Sequence, residues 1–307
     1  MSEKGIVQTL AFAPGHITGF FEICDQSEDI LQKGSRGAGV CIGQGIRTRV
    51  SIKPATQNFI EIKINDEKMN SASVSYEVAS TFLSKIKKDY NLQVEHETEI
   101  PIGCGLGASG AGALSLAIAL NKVLRTPKTI IDAAQIAHIA EIKYKTGLGT
   151  VLGQTKGGLE IRKKPGGPGF GVIDSLPIKK DYRVVCIIFG RISTEKILIN
   201  QKIREKINQY GNKALKSFLK GPNINKFMEV SRDFAESLGL LSSRLKKLID
   251  IADKQGFICS QAMFGETLFS IVKESEVAKL IETFRGAAPF PHWIINAAVD
   301  NEGARFL

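Results

Sequence analysis

The stretch Pro101-Ile-Gly-Cys-Gly-Leu-Gly-Ala-Ser-Gly-Ala-Gly112 is the most informative part of the sequence. It holds five glycines in its last ten residues, one serine and no charge, and Ala113 to Leu124 then repeats apolar residues at helical spacing. A glycine-rich turn that leads into a helix presents free N–H groups and the positive end of the helix dipole, which suits an anion, most often a phosphate. Because the glycines alternate before the helix, the pattern favours a phosphate-binding loop over a small-residue helix packed tightly on a sheet.

Two common nucleotide loops do not match this stretch. A Walker loop ends in Gly-Lys-Ser/Thr, and no lysine occurs between Glu99 and Asn121. Gly105-Leu-Gly-Ala-Ser-Gly110 has the Gly-x-Gly-x-x-Gly spacing of dinucleotide-binding folds, but it lies a third of the way along the chain rather than after the first strand.

Size and composition limit the class of protein. The chain has 307 residues, enough for two compact domains, and 43% of them are hydrophobic, enough for a full core. No uninterrupted apolar run reaches the roughly 18 residues of a membrane span. Residues 1–5 lack the basic-then-apolar layout of a signal peptide. We therefore expect a cytoplasmic protein without a membrane partner.

The net charge of +10 suits anionic small molecules such as ATP and carboxylates. The basic residues are dispersed and aromatic residues make up only 7%, so a generic basic surface is favoured over a nucleic-acid groove. Five widely spaced cysteines without a Cys-x-x-Cys, and four histidines without ligand-like spacing, predict neither a disulfide framework nor a zinc site.

The hydrophobic patterns predict an α+β protein, with a strand-rich first half, a helix-rich second half and strands returning at the end. The predicted boundary divides residues 1–180 from residues 181–307. Residues 146–156 are predicted to form a glycine-containing loop. The predicted strands cover 7–13, 45–53, 59–64, 92–100, 157–162, 183–189, 257–262, 267–272 and 291–299. The predicted helices cover 73–90, the segment from the glycine loop to 124, 129–145, 194–207, 212–219, 225–238, 242–255 and 274–284.

Three segments together resemble the GHMP kinases, the superfamily of galactokinase, homoserine kinase and mevalonate kinase. They are Ala13-Pro-Gly-His-Ile-Thr-Gly-Phe-Phe-Glu22, the glycine loop from Pro101 to Ala111, and Ser260-Gln-Ala-Met-Phe-Gly-Glu-Thr-Leu-Phe-Ser270. The resemblance covers nearly the whole chain. It implies the GHMP kinase fold, with an N-terminal domain like ribosomal protein S5 domain 2, a ferredoxin-like C-terminal domain and an active site between them.

Within the superfamily the chain most resembles the archaeal pantoate kinases. This resemblance implies phosphorylation of pantoate to 4-phosphopantoate with ATP and Mg²⁺, in coenzyme A biosynthesis. It leaves a homodimer open as the assembly. The segments that carry it are Pro14-Gly-His-Ile-Thr-Gly-Phe-Phe21, Gly34-Ser-Arg-Gly-Ala-Gly39, Gly158-Leu-Glu-Ile-Arg162, Ile192-Ser-Thr194 and Met263-Phe-Gly-Glu-Thr-Leu-Phe269.

The same resemblance assigns roles in ATP and metal binding. Ser109 and Glu141 are the expected Mg²⁺ ligands and catalytic residues. The alternatives are that Ser109 caps the helix and that Glu141 is a solvated helix residue paired with Lys145. The residues expected to surround the ATP phosphates are Pro101, Gly103, Gly105, Leu106, Gly107, Ala108, Ser109 and Gly110.

The chain departs from the family pattern in two places. Thr150 stands where many members have an aspartate that serves as base on the substrate hydroxyl. We keep Thr150 as a positional catalytic candidate. Because threonine does not accept a proton near neutral pH, direct proton transfer to the phosphate, or another carboxylate, stays open. Met263 and Phe264 stand where glycines are usual, so the third motif either packs or binds nucleotide.

Three residues are expected to contact the substrate. Arg36 and Arg162 suit the carboxylate of pantoate at the rim of the site, because a guanidinium matches a carboxylate in a planar, bidentate way. Ordinary surface arginines are the alternative. His16 is expected to hydrogen-bond substrate or phosphate, with a structural histidine as the alternative, and Thr194 either caps a helix or reaches the substrate.

Two other functions remain open from the sequence. The first is another small-molecule GHMP kinase, of the homoserine or mevalonate type. The second is a catalytically silent GHMP-fold protein that binds a ligand, which the missing aspartate makes conceivable.

Overall fold

The computed structural model describes residues 7–192, 200–288 and 292–307, and these residues are built around two sheets. The first sheet has eight strands, and six of them follow the order β12-β1-β2-β5-β3-β4. Strand β6 pairs with the N-terminal part of β2, and β7 pairs with β6. All its pairs are antiparallel except β3 with β5. Its strands are β1 Val7–Cys24, β2 Gly34–Pro54, β3 Phe59–Ile64, β4 Glu67–Lys68, β5 Tyr90–Thr98, β6 Leu159–Lys164, β7 Val172–Leu176 and β12 Arg305–Phe306.

The second sheet is antiparallel, in the order β11-β8-β10-β9. Its strands are β8 Tyr182–Arg191, β9 Ser260–Gln261, β10 Gly265–Lys273 and β11 Trp293–Ala298. The helices, numbered over the described residues, are α1 Ser73–Leu83, α2 Ala108–Val123, α3 Ile130–Lys143, α4 Thr150–Lys156, α5 Gln201–Phe218, α6 Ile224–Leu238, α7 Ser243–Lys254 and α8 Val277–Ala287. This arrangement is the α+β fold that the sequence predicts.

The first strand is longer than its sequence suggests. The prediction ended it at Pro14-Gly15, but β1 continues to Cys24, paired with β2 throughout. The register shifts between Pro14 and Gly15, which marks a bulge in the ladder. Proline has no N–H to donate and is tolerated at such an irregularity, so the proline ends neither the strand nor the sheet.

Helix α2 lies at the centre of the first half. Thirteen of its sixteen residues are buried, and it packs against β1, β2, α1 and α3. Its alanines and glycines allow these close approaches on every side. The helix begins at Ala108, so the second part of the glycine loop is already helical.

Several predicted elements need correction. Residues 150–156 of the predicted 146–156 loop form α4. The two helices predicted around residue 207 are one helix, α5, over the described residues, and the predicted strand 257–262 is reduced to Ser260–Gln261. Strand β7 was not predicted. Residues 193–199, which include Thr194, lie outside the described residues, as do residues 289–291.

The chain passes from the first sheet to the second near residue 180, because β7 ends at Leu176 and β8 begins at Tyr182. One segment departs from the predicted boundary: β12 returns to the first sheet and pairs with β1 through Ala11 and Phe12. The division into residues 1–180 and 181–307 therefore stays a prediction. Among the described residues, no helix is both long and apolar enough to cross a bilayer.

Candidate active site

A cleft opens where the glycine loop, β1, the α3–α4 connection and the second sheet meet. Most of its wall is glycine and small polar residues, and the second sheet adds only Met263 and Phe264. The lining residues are His16, Thr18, Phe21, Ser35, Gly103, Gly105, Gly107, Ala108, Ser109, Gly110, Glu141, Thr146, Gly147, Leu148, Gly149, Thr150, Met263 and Phe264. Most residues that the sequence assigned to ATP lie in this one cleft.

The glycine loop ends at Gly107, the residue before α2, with φ +69°. A side chain is disfavoured at this left-handed φ, which accounts for a glycine there. In the described part of the chain, no acceptor is hydrogen-bonded to the N–H groups of residues 107–110. The N–H groups in the first turn of a helix have no acceptor within the helix, and the positive end of the helix dipole lies at this same end, beside the cleft. The loop is therefore equipped to bind an anion.

The third sequence motif holds the glycine loop in place. Thr267 Oγ1 donates to the Cys104 carbonyl at 2.8 Å. A Cβ on Gly265 would lie 1.9 Å from the same carbonyl oxygen, so the backbones touch. Gly265 therefore packs against the loop, whereas Met263 and Phe264 of the same motif line the cleft.

Arg191 at the end of β8 lies beside the loop from the opposite sheet. Its side-chain carbons are 3.2–3.4 Å from where a Cβ of Gly103 would be, and the adjacent Ile192 N–H donates to the Gly103 carbonyl at 3.2 Å. No carboxylate among the described residues pairs with Arg191. Sequence reasoning missed this cation, because nothing local links residue 191 to residue 103.

Ser109 and Glu141 meet directly in the cleft. Ser109 Oγ donates to Glu141 Oε1 at 2.5 Å, and Thr146 Oγ1 donates to the same oxygen at 2.6 Å. Glu141 is only 2% exposed, so the alternative of a solvated helix residue is wrong. The cap alternative for Ser109 is wrong too, because α2 has no side-chain cap. Burial raises the pKa of Glu141, against the lowering effect of these two hydrogen bonds.

These oxygens fit Mg²⁺. A buried carboxylate flanked by two hydroxyl groups is a hard, all-oxygen donor set, and Mg²⁺ is usually held by one or two carboxylates together with substrate phosphates and water. In the described ranges, no group of three or more His, Cys, Asp or Glu side chains could hold a metal alone. A Mg²⁺ ion bound to these residues would therefore need phosphate oxygens among its remaining ligands.

Thr150 is the first residue of α4 and lines the cleft. Its methyl carbon lies 2.9 Å from where a Cβ of Gly107 would be, so the side chain packs against the glycine loop. Gln154, one turn later, donates from Nε2 to the carbonyls of Pro14 and Gly107 at 2.8 and 2.9 Å. Helix α4 thus ties the loop to β1.

His16, Glu160 and Arg162 form a buried group behind the cleft. His16 Nε2 lies 2.9 Å from Glu160 Oε1, and Arg162 donates to the same carboxylate oxygen. Arg162 is 1% exposed, so its expected place at the rim is wrong: its side chain is enclosed by Glu160, His16 and the backbone of the α3–α4 connection at Gly149. A Cβ on the cleft residue Gly149 would lie 2.8 Å from Arg162 Nε, which places this side chain just behind the wall.

Arg36 does not line the cleft. It donates from Nε to Glu22 at 2.9 Å and from its terminal nitrogen to the same oxygen at 2.5 Å, and Asn212 of α5 also reaches that oxygen. Its substrate role therefore stays a prediction without a contact to the cleft. Sequence reasoning missed Glu160, Ser35 and Thr146. One local signal pointed to Glu160: residues 159–162 alternate, which places the charged Glu160 and Arg162 on the same face of a strand.

Comparison with known proteins places this geometry in a class. Residues 73–158 match the model of the GHMP kinase N-terminal domain. A solved structure described as a phosphotransferase related to the CoA biosynthesis pathway superposes with a TM-score of 0.89, at 34% identity over 98% of each chain. The fold is that of a GHMP kinase.

Curated relatives then narrow the class. The pantoate kinase of Thermococcus kodakarensis is 39% identical over 88% of this chain and 89% of its own. That of Methanocaldococcus jannaschii is 37% identical over 86% of this chain and 92% of its own. The chain belongs to the pantoate kinase family of GHMP kinases.

Proposed function

We propose that this protein transfers the γ-phosphoryl group of ATP to a hydroxyl of pantoate, to give 4-phosphopantoate for coenzyme A biosynthesis in the cytoplasm. The observation that carries the proposal is the cleft in which the amides of residues 107–110, which have no acceptor among the described residues, lie beside the Ser109–Glu141 pair. Family membership supports the choice of acceptor, because the curated relatives are pantoate kinases.

Phosphoryl transfer needs positioning and charge neutralisation more than covalent participation by the protein. The loop amides and the dipole of α2 would hold the phosphates. Glu141 and Ser109 would hold Mg²⁺, with Thr146 orienting the carboxylate. When bound, the ion supplies charge neutralisation on the phosphate oxygens.

Arg162 remains our candidate for the carboxylate of pantoate. One of its terminal nitrogens is occupied by Glu160, but its Nε has no partner in the described part of the chain. That nitrogen packs against Gly149, and the adjacent Ser35 also lines the cleft. A carboxylate that entered between Ser35 and Gly149 would find both a hydroxyl and a cation.

An acceptor panel tests the proposal. Purified protein with Mg²⁺ and ATP is given pantoate, homoserine or mevalonate, ADP release is recorded, and the product is identified by ³¹P NMR. The Ser109→Ala variant, prepared in parallel, measures contaminating kinase activity. We expect pantoate alone to give ADP above buffer and a phosphomonoester product. ADP release with homoserine or mevalonate but not with pantoate would refute the substrate.

The alternative of a silent binding protein has one structural point in its favour, the absence of a carboxylate at Thr150. The Ser109–Glu141 pair argues against it, because it places a proposed Mg²⁺ site beside the loop amides that would hold the phosphates of ATP. Size-exclusion chromatography with light scattering would test the homodimer that the resemblance allows.

A further inference from the structure

His16 is held in one tautomer by its partner. Its side chain is fully buried, and Nε2 lies 2.9 Å from Glu160 Oε1. A carboxylate that also accepts from Arg162 is an acceptor only, so Nε2 carries the shared proton. The 3.4 Å contact between Arg162 and Nε2 is then not a hydrogen bond, since both groups are donors. Burial lowers the pKa of His16, so the neutral ring keeps a lone pair on Nδ1.

That second nitrogen has no partner. Nδ1 is buried and makes no hydrogen bond within the described part of the chain. A buried acceptor left unpaired costs about 1–3 kcal/mol, so its presence calls for an explanation. His16 also lines the cleft beside Gly107 and Thr150. A donor supplied by a ligand in the cleft would satisfy Nδ1.

No other group lining the cleft is a better proton acceptor. Thr150 has no basic atom at neutral pH. Glu141 already accepts from Ser109 and Thr146 through one oxygen, and it is the proposed metal ligand. Among the described lining residues, Glu141 and His16 are the ones that titrate between acid and neutral pH. The position vacated by the family's aspartate therefore leaves His16 as the available base.

We propose that His16 Nδ1 accepts the hydrogen bond of the substrate hydroxyl and takes its proton as the phosphoryl group is transferred. This inference rests on the proposed kinase function. The substrate oxygen forms a bond to the γ-phosphorus, the bond from that phosphorus to the β,γ-bridging oxygen breaks, and its electron pair leaves with ADP. The hydroxyl proton moves to Nδ1 and returns to solvent when the products leave.

Glu160 supports this role in two ways. It fixes Nε2 as the protonated nitrogen, which leaves the lone pair of Nδ1 available to accept a hydrogen bond. Its carboxylate also stabilises the imidazolium that forms during transfer, as the carboxylate partner of a catalytic histidine does in hydrolase triads. Arg162 beside it opposes a lasting positive charge on the ring, so the protonated state is transient.

Two variants and one control test the proposal. His16→Gln keeps a polar side chain of similar size but removes the base, and Glu160→Gln removes the group that fixes the tautomer. His96→Gln is the control, because His96 is also a buried histidine but is bonded to Thr48 and Ser75 away from the cleft. Folding of each variant is checked by circular dichroism, and kcat and KM are measured for both substrates.

We expect His16→Gln to lower kcat by about 100-fold or more, the usual contribution of a general base, while the KM for ATP stays within about twofold. Glu160→Gln should lower kcat by roughly tenfold, and His96→Gln should leave kcat of the folded protein within about twofold. A folded His16→Gln variant with wild-type kcat would overturn the inference while leaving the kinase assignment standing.

A spectroscopic measurement decides the question even if His16→Gln does not fold. In wild-type protein with ADP and Mg²⁺, ¹⁵N NMR of the histidine rings should show His16 protonated at Nε2 and unprotonated at Nδ1. Addition of pantoate should shift the Nδ1 resonance and leave that of His96 in place. A proton on Nδ1, or no response to pantoate, would overturn the proposal.

Failure of the substrate assignment is distinguishable from failure of the base. If the wild type phosphorylates another acceptor, the same variants measured with that acceptor test His16. If the wild type phosphorylates no acceptor in the panel, the kinase assignment and the base fall together.

Discussion

Ser109 Oγ and Glu141 Oε1 lie 2.5 Å apart, and this contact joins the start of α2 to the end of α3. The two residues are 32 positions apart in sequence, and their contact lies in the wall of the cleft. Thr146 donates to the same carboxylate oxygen, so two hydroxyl groups and one buried carboxylate converge on the mouth of the glycine loop. The first predictions concern this pair.

Ser109→Ala and Glu141→Gln should each lower kcat by roughly 100-fold or more, because each removes charge stabilisation of the transferring group. Steady-state ADP release with saturating ATP and pantoate measures the loss. Since burial raises the pKa of Glu141, the amide should also stabilise the ligand-free protein, and Mg²⁺ with ATP should no longer raise its Tm. Near-wild-type turnover in both variants would contradict the metal assignment.

Thr150→Ala should have a much smaller effect, less than about tenfold on kcat, because it removes a packing methyl and a hydroxyl that, unlike that of Ser109, is not a proposed Mg²⁺ ligand. The same assay compares it with Ser109→Ala. A loss as large as that of Ser109→Ala would show that the hydroxyl of Thr150 takes part in transfer.

Arg191→Gln should raise the KM for ATP by several-fold and leave the KM for pantoate unchanged. The guanidinium beside Gly103 would stabilise the phosphates of ATP by charge attraction and by charge-assisted hydrogen bonds. The effect should shrink as salt is added, since Arg191 is exposed. Arg183→Gln is the control: Arg183 is on the same strand but pairs with Glu274. Equal effects of the two substitutions would exclude a local contact.

Folding stability should fall on the acid side of neutrality. Burial lowers the pKa of both His96 and His138 from 6.5 to about 4, so between these values the unfolded chain binds protons that the folded chain does not. Each residue should remove about 3 kcal/mol from the free energy of unfolding over that interval, at about 1.4 kcal/mol per pKa unit. Urea denaturation at pH 7, 6 and 5 measures the slope, and His96→Gln should reduce it. A wild-type slope unchanged by that substitution would refute the assignment to His96.

Gly211→Ala should destabilise the fold by roughly 1–3 kcal/mol, although alanine is the better helix former. Helix α5 crosses β1 at this residue, and the new Cβ would lie 1.9 Å from the Phe21 carbonyl oxygen. Gly286→Ala, in α8 with nothing within 4 Å of the new Cβ, should instead be neutral or stabilising by about 0.5–1 kcal/mol. Urea midpoints that move alike in the two variants would contradict the close approach.

The parts of the site that sequence could predict are those whose chemistry is local. The alternating glycines and the apolar helix that follows them are consecutive in sequence, so the pattern alone predicts an anion-binding loop. The Thr129–Asp132 capping box at the start of α3 is likewise encoded by neighbouring residues. Helix α4 escaped prediction because it has only seven residues and contains Gly153, which lowers helix propensity.

The parts that sequence could not predict depend on distant pairing. Glu160 meets His16 across 144 positions, and the antiparallel pairings of β1 and β6 with β2 bring them together. The resemblance predicts Arg162 at the rim of the site, but its side chain is buried against His16 of β1 and Gly149 of the α3–α4 connection. Both contacts are distant in sequence, so no local pattern around residue 162 encodes them.

The return of β12 to β1 makes the second sheet an insertion rather than an appendage. The polypeptide passes between the two sheets once after β7 and again before β12. Removal of residues 305–307 would therefore unpair this edge of β1 while leaving every residue of the cleft in place.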